Sequence, residues 1–251
     1  MIMDSANVLS VVMPVYNEEK TIETIVNNVL ARPEVGELII VNDASKDNSW
    51  EKLQQFAGNP KVKLLNQEVN QGKGAALIRG FAEAKCPFVM VQDADFEYTP
   101  ADYPAVLAPL LAGKADVVYG SRFMGTPGQV RFFRHEMGNK FLTFWSNFFS
   151  DIHLSDMETC YKAFKREVIQ NLILTSCRFG IEVEMTAKLA KAKCLCIWEV
   201  PISYFPRSYG EGKKIGWRDG FAALWHILRF NCFTSLEQSL KEPWEKVFDK
   251  K

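Results

Sequence analysis

Asp93, Asp95 and Glu97 stand at alternating positions directly after the apolar run Phe88-Val89-Met90-Val91. On an extended chain, side chains at i, i+2 and i+4 point the same way, so the spacing predicts three carboxylates converging on one hard cation. Mg²⁺ or Mn²⁺ is usually held by one or two carboxylates together with substrate phosphates. The chemistry this implies is that of an enzyme handling a metal-bound diphosphate. An acidic turn before Pro100 would use the same residue types with no metal at all.

The elements that must position this trio alternate along the first half of the chain. Apolar runs at 8–13, 38–41, 62–65, 88–92 and 116–119 read as buried strands. Helical spacing appears at 18–30 (Ile22, Ile25, Val26, Val29), after Ser45 or Asp47 (Trp50, Leu53, Phe56), at 75–84 and beyond Pro100. This βαβα order predicts an α/β fold, a mostly parallel sheet flanked by helices. In such sheets ligands bind beyond the carboxyl ends of the strands. Polar segments fall at four such ends: Tyr16-Asn17-Glu18, Asn42-Asp43, Asn66-Gln67 with Asn70, and 93–97. Asp43 could accept hydrogen bonds from a base ring, or simply form an Asx turn or helix cap.

The second half is less regular. Residues 120–139 are Gly-rich and basic and read as a long loop, 181–192 as a helix, 195–205 as strand-like, and 208–214 as a basic turn. Residues 217–233 predict a C-terminal amphipathic aromatic helix, and the polar tail 237–251 is expected to fray. No internal repeat or linker divides the chain. Residues 1–236 read as one domain, with 1–120 and 121–236 as its two halves.

The dinucleotide fingerprint is absent, since the first strand ends in Pro14-Val15-Tyr16-Asn17-Glu18, and Gly72-Lys73-Gly74 is not a phosphate loop. Instead, four segments resemble the family 2 inverting glycosyltransferases of GT-A type. They are 14–18, Val41-Asn42-Asp43-Ala44-Ser45, Asn70-Gln71-Gly72-Lys73-Gly74-Ala75-Ala76 and Asp93-Ala94-Asp95. The resemblance implies a nucleotide-sugar held by Pro14, Tyr16, Glu18, Asp43, Lys73 and Asp93. Asp43 would lie at the base, Glu18 at the ribose, and Asp93 and Asp95 on the metal-diphosphate. Within the family the chain is most similar to polyprenyl-phosphate (dolichyl-phosphate type) sugar synthases, through Gly120-Ser121-Arg122-Phe123, the acidic trio and the basic segment 206–214. Those relatives usually carry Gln where Glu97 stands. Segment 156–162 also departs from the wording of the mannose synthases, so the sugar stays open between the GDP-mannose and UDP-glucose types.

A phosphate acceptor would need cations. Arg122, Arg131, Arg134, Arg207, Lys213 and Lys214 are the candidates, because guanidinium forks suit phosphate oxygens. A solvated surface loop would account equally for Arg131 and Arg134. A hydroxyl acceptor, of a lipid or a saccharide, would instead demand a general base. Asp156, Glu182 and Glu184 qualify. Glu184 faces Lys188 at i+4 and reads as a surface ion pair, whereas Glu182 borders the stripe of Ile181, Met185 and Leu189 and lacks such a partner. Asp95, Arg207 and Glu182 are thus the catalytic candidates. His135 and His226 are isolated and receive no metal role. A non-catalytic nucleotide-sugar-binding subunit remains a third reading.

Composition narrows the setting. The formal net charge over 251 residues is zero, which predicts no nucleic-acid partner. The six cysteines form no CxxC pair, and with no signal-like start they read as reduced structural thiols of a cytoplasmic protein. No apolar run approaches the roughly 20 residues that span a bilayer. A lipid acceptor therefore implies peripheral contact of the 217–233 helix with the cytoplasmic face of a membrane, or a separate membrane-anchoring subunit.

Overall fold

The computed structural model describes residues 5–125, 133–178, 180–206 and 217–248. Strands β1 (Leu9–Val15), β2 (Val35–Asn42), β3 (Val62–Asn66) and β4 (Phe88–Val91) are joined by helices α1 (Ile22–Leu30), α2 (Ser49–Leu53) and α3 (Lys73–Glu83). Helix α4 (Tyr103–Leu111) leads to β5 (Val117–Ser121) and α5 (Phe133–Ser150). Then come β6 (Lys162–Lys165), α6 (Arg166–Asn171), α7 (Ile181–Lys191), β7 (Ile197–Pro201), α8 (Trp217–Cys232) and α9 (Trp244–Phe248).

These strands form one sheet in the order β3-β2-β1-β4-β6-β5-β7. All pairs are parallel except those of β6, which runs antiparallel to both β4 and β5. The central strands are apolar on both faces because helices cover both; Val11, Val12, Leu38, Ile39, Ile40 and Val89 are fully buried. On α1 the stripe Ile22, Ile25, Val26 and Val29 is buried as its spacing predicts. Each such side chain contributes about 1.5–3 kcal/mol.

From β1 the chain moves outward to β2 and β3 and returns to the other side at β4. That reversal creates the crevice at the carboxyl edge where open α/β sheets bind ligands. The loops at this edge are stitched together. The Asn17 amide donates to Ser45 Oγ, the Glu18 amide to Ser49 Oγ, and Thr21 Oγ1 to the Ala94 carbonyl.

Three sequence expectations need correction. Residues 133–139, expected in a long loop, are the first two turns of α5; residues 126–132 lie outside the described residues. The short antiparallel strand β6 was not foreseen. The tail expected to fray is tied down: Leu172 bridges Leu240, Asn171 bonds the backbone of Glu242, and Leu240 and Trp244 are buried.

Candidate active site

The acidic trio is not presented on an extended strand. β4 ends at Val91 and residues 94–98 bend, so the alternation that would align the three carboxylates is lost. Among the described residues no group of three His, Cys, Asp or Glu side chains is placed to hold a metal ion. Glu97 is engaged with a later stretch of the chain: its carboxylate accepts from Tyr204 Oη at 3.1 Å, and its carbonyl accepts from the Phe205 amide at 2.9 Å. Glu97 therefore fastens the segment that leads into Arg207. Asp102 does the same one residue earlier, accepting from the Ser203 amide at 2.7 Å.

Asp93 and Asp95 lie partly buried just after β4. Asp95 Oδ1 accepts from the Glu97 amide at 3.0 Å, which shapes the turn. Asp93 Oδ1 pairs with Lys73 Nζ at 2.9 Å, and the same ammonium meets Glu182 Oε1 at 3.0 Å. Burial alone would lower the Lys73 pKa. The neighbouring carboxylates, Asp93 foremost and then Glu182, outweigh it and hold the ammonium well above the usual lysine range. Two partly buried carboxylates on one turn suit a hard cation whose other ligands are substrate oxygens, and fit poorly with an all-protein cage.

Behind Asp93 lies a buried scaffold. Gln92 Nε2 donates to the Asp93 carbonyl, and its Oε1 accepts from Tyr103 Oη at 2.8 Å and Tyr161 Oη at 2.6 Å. Tyr98 stacks on Tyr161 with ring centroids 4.8 Å apart, and its Oη accepts from the Cys160 amide. The sequence offered no periodic signal for this network. Its only trace was the segment 156–162, whose wording departs from the mannose synthases.

Lys73 is positioned by the glycines on either side of it. Gly72 has φ +97°, a left-handed conformation that side chains disfavour. A Cβ on Gly74 would lie 2.0 Å from the Ser176 carbonyl, so only glycine lets α3 start against that loop. Asp43 supports the same turn. Its Oδ1 accepts from Gln67 Nε2 at 2.6 Å and the Gln71 amide at 2.8 Å, and its Oδ2 accepts from the Gly72 amide at 2.7 Å. These contacts tie the end of β2 to the 67–72 segment and are neither a local Asx turn nor a cap of the helix that follows Asp43. Pro14, Tyr16 and Glu18 line the neighbouring β1 end, each partly exposed.

The basic candidates divide. Arg122 is locked in a fork on Asp156, with Nε to Oδ2 at 2.7 Å and Nη2 to Oδ1 at 2.8 Å, and lies over the Tyr204 ring. It is engaged by a carboxylate where a phosphate grip was expected, and Asp156 is in turn tied up by the guanidinium. Arg134 is exposed in the first turn of α5. Arg131, Arg207, Lys213 and Lys214 lie outside the described residues.

The two glutamates of α7 also differ from expectation. Glu184 does pair with Lys188, at 2.6 Å, but the pair is buried; Glu184 also accepts from the Thr175 and Ser176 amides and so anchors the loop before α7. Glu182, expected to lack a partner, is ion-paired with Lys73. Near them sits Glu158. Burial, reinforced by the Glu182 charge, pushes its carboxyl up to about 7 against the opposing pull of Lys162 and Arg122.

A family model described as glycosyl transferase family 2 matches residues 10–173, which span every strand of this crevice. The chain belongs to that family. Among its relatives is the dolichol-phosphate mannosyltransferase of Pyrococcus furiosus, 30% identical over 227 residues and matched across 88% of this chain and 63% of that enzyme. Another is the UDP-N-acetylglucosamine–dolichyl-phosphate N-acetylglucosaminyltransferase of Methanococcus voltae, 27% identical and matched across 86% of this chain and 93% of that enzyme. A hexosyltransferase of low-salt glycan biosynthesis in Haloferax volcanii is 30% identical, and 54% of its length is matched. The chain thus spans about half to two thirds of the length of the first and third of these relatives. In structure, the family fold is shared with glucosyl-3-phosphoglycerate synthase of Mycobacterium tuberculosis, crystallised with Mn²⁺, UDP-glucose and glycerol 3-phosphate. The TM-score is 0.69 at 20% identity, covering 89% of this chain and 79% of that one.

Proposed function

We propose that this chain is an inverting glycosyltransferase that moves a hexose from a nucleotide-sugar, of GDP-mannose or UDP-glucose type, to a polyprenyl phosphate. Family membership and the two relatives named for dolichyl-phosphate acceptors support the reaction class. The observation that carries the choice of acceptor is the pairing of all three candidate bases with cations, Asp156 with Arg122, Glu182 with Lys73 and Glu184 with Lys188. A hydroxyl acceptor needs a base to take its proton. A phosphate monoester is already ionised near neutrality, its second pKa being about 6, and attacks without one.

Asp93 and Asp95 would hold Mg²⁺ or Mn²⁺ against the donor diphosphate, and the ion would offset charge on the leaving nucleoside diphosphate. Lys73 orients Asp93 and brings a positive charge to the same point. Glu97 and Asp102 hold the 203–206 segment, so that Arg207 and the lysines beyond it can meet the acceptor phosphate.

The acceptor's lipid tail calls for contact with a bilayer. Among the described residues no helix is long and apolar enough to cross a membrane. Helix α5 exposes Phe133, Met137, Phe141, Phe144 and Phe148 on one stripe, and α8, packed beside it, exposes Phe221, Trp225 and Leu228. Arg134, Lys140 and Arg229 are interspersed. An aromatic face with basic residues suits peripheral binding to an anionic surface.

The test is transfer of radiolabelled hexose from GDP- and UDP-sugars to a short polyprenyl phosphate in the presence of Mn²⁺. One donor should yield labelled lipid phosphate with the anomeric configuration inverted. Labelling of a polyprenol or glycolipid hydroxyl, with none of the phosphate, would overturn the acceptor.

A further inference from the structure

Three buried oxygens beside the Asp93–Lys73–Glu182 chain have no hydrogen-bond partner among the described residues: Glu158 Oε1, Thr159 Oγ1 and Glu182 Oε2. Thr159 is fully buried and Glu182 is 6% exposed. Buried polar atoms are rarely left unpaired, and each such atom costs about 1–3 kcal/mol. Three together therefore point to a ligand.

Their setting is built. Glu182, at the start of α7, is fixed by Lys73, and one turn on Thr186 Oγ1 lies 2.9 Å from Tyr119 Oη. Lys162 Nζ sits 5.1 Å from the centroid of that tyrosine ring and donates to the Thr159 carbonyl. Lys162 lies within the electrostatic reach of both Glu182 and Glu158, so the α7 glutamate and the 158–162 segment lie close together. Glu182 exerts the largest charge effect on Glu158.

The chemistry of this cluster selects the occupant. The carboxyl groups of Glu158 and Glu182 are matched by the ammonium groups of Lys73 and Lys162, so the cluster offers no excess positive charge for a phosphate headgroup. No third ligating side chain accompanies them among the described residues, which disfavours a metal. Two carboxylate oxygens and a hydroxyl want neutral donors, and a hydroxyl-rich ring supplies them. The Asp93 and Glu182 contacts to Lys73, at 2.9 and 3.0 Å, put this cluster one side chain away from the carboxylates assigned to the diphosphate. The hexose is bonded directly to that diphosphate.

We infer that Glu158 and Thr159, with Glu182, form the subsite that reads hydroxyls of the transferred sugar, and that Glu158 is a specificity-determining residue. This rests on the nucleotide-sugar reading above. The test compares wild-type protein, Glu158→Gln and Thr159→Val by calorimetry with Mn²⁺ and GDP, UDP, GDP-mannose or UDP-glucose. Each variant should bind the free diphosphate as wild type does and lose about tenfold or more in affinity for the matching nucleotide-sugar. Glu158→Gln should also change the preference among epimeric sugars on the same nucleotide. Unchanged nucleotide-sugar affinity in both variants overturns the inference. So does an equal loss of both ligands in both variants, which would assign these residues to the nucleotide site or the fold. Wild-type protein that binds none of the four probes would overturn the donor reading itself, and the inference with it.

Discussion

Lys73 joins two carboxylates that would otherwise repel each other across the crevice, and this makes it the most consequential single charge in the site. Lys73→Met leaves Asp93 and Glu182 largely desolvated without a counter-charge. Breaking such a pair costs about 3 kcal/mol, so urea melts should show a loss of that order, and transfer should fall at least a hundredfold. A variant as stable as wild type would show that the pair carries no stability. Glu158 yields a prediction of opposite character. Its folded pKa of about 7 lies above the ordinary 4.5. Between those values the unfolded chain has ionised and the folded chain has not, so Glu158 favours the fold below pH ~4.5 and that contribution is lost as pH rises through 7. Wild type should lose up to about 3 kcal/mol between pH 4.5 and 8 that Glu158→Gln does not, measured by urea melts at both pH values. Parallel slopes would contradict the assignment. At this scale the sequence exposed the residue types but misjudged their directions. The position of Asp93 and Asp95 just after a strand was legible because they follow an apolar run. The bend that carries Glu97 was not, because the strand ends at Val91 and the buried Gln92–Tyr103–Tyr161 network behind the turn joins residues far apart in sequence.

Helix α3 carries Lys73 into the site because two glycines let its first turn meet the 176–177 backbone. Gly74→Ala should therefore destabilise by more than about 2 kcal/mol and weaken nucleotide-sugar binding, since the methyl would collide with a carbonyl that cannot swing away. Gly138→Ala in α5 is the control of opposite sign. Nothing lies within 4 Å of its missing Cβ, so the change should stabilise by up to about 1 kcal/mol. Equal effects from the two would remove the close-approach argument. The buried strands and α1 were readable from apolar runs and 3.6-residue spacing. Strand β6 was not, because Lys162-Ala163-Phe164-Lys165 is only four residues long and begins with a lysine buried over Tyr119. The start of α5 was hidden by its exposed aromatics, which follow no core-facing stripe.

For the whole molecule, the proposed transfer to a lipid-linked acceptor would require the crevice and the aromatic face of α5 and α8 to act together. Phe144→Glu with Trp225→Glu should cut co-sedimentation with anionic vesicles severalfold and slow transfer to vesicle-borne acceptor. Transfer to a short, water-soluble polyprenyl phosphate should stay near the wild-type rate. Loss of both activities would assign the face to folding. The α/β architecture was legible from the βαβα order. The contacts of the second half were not, because they join side chains far apart in sequence, such as Arg122 with Asp156 and Glu97 with Tyr204.

The central claim is that the turn after β4 holds a divalent ion against the donor diphosphate, and calorimetry of GDP and UDP with and without Mn²⁺ tests it most directly. Wild-type protein should bind one of them tightly only when Mn²⁺ is present, and Asp95→Asn should lose that dependence together with at least tenfold in affinity. Tight, manganese-dependent binding that survives in Asp95→Asn and Asp93→Asn alike would contradict the account.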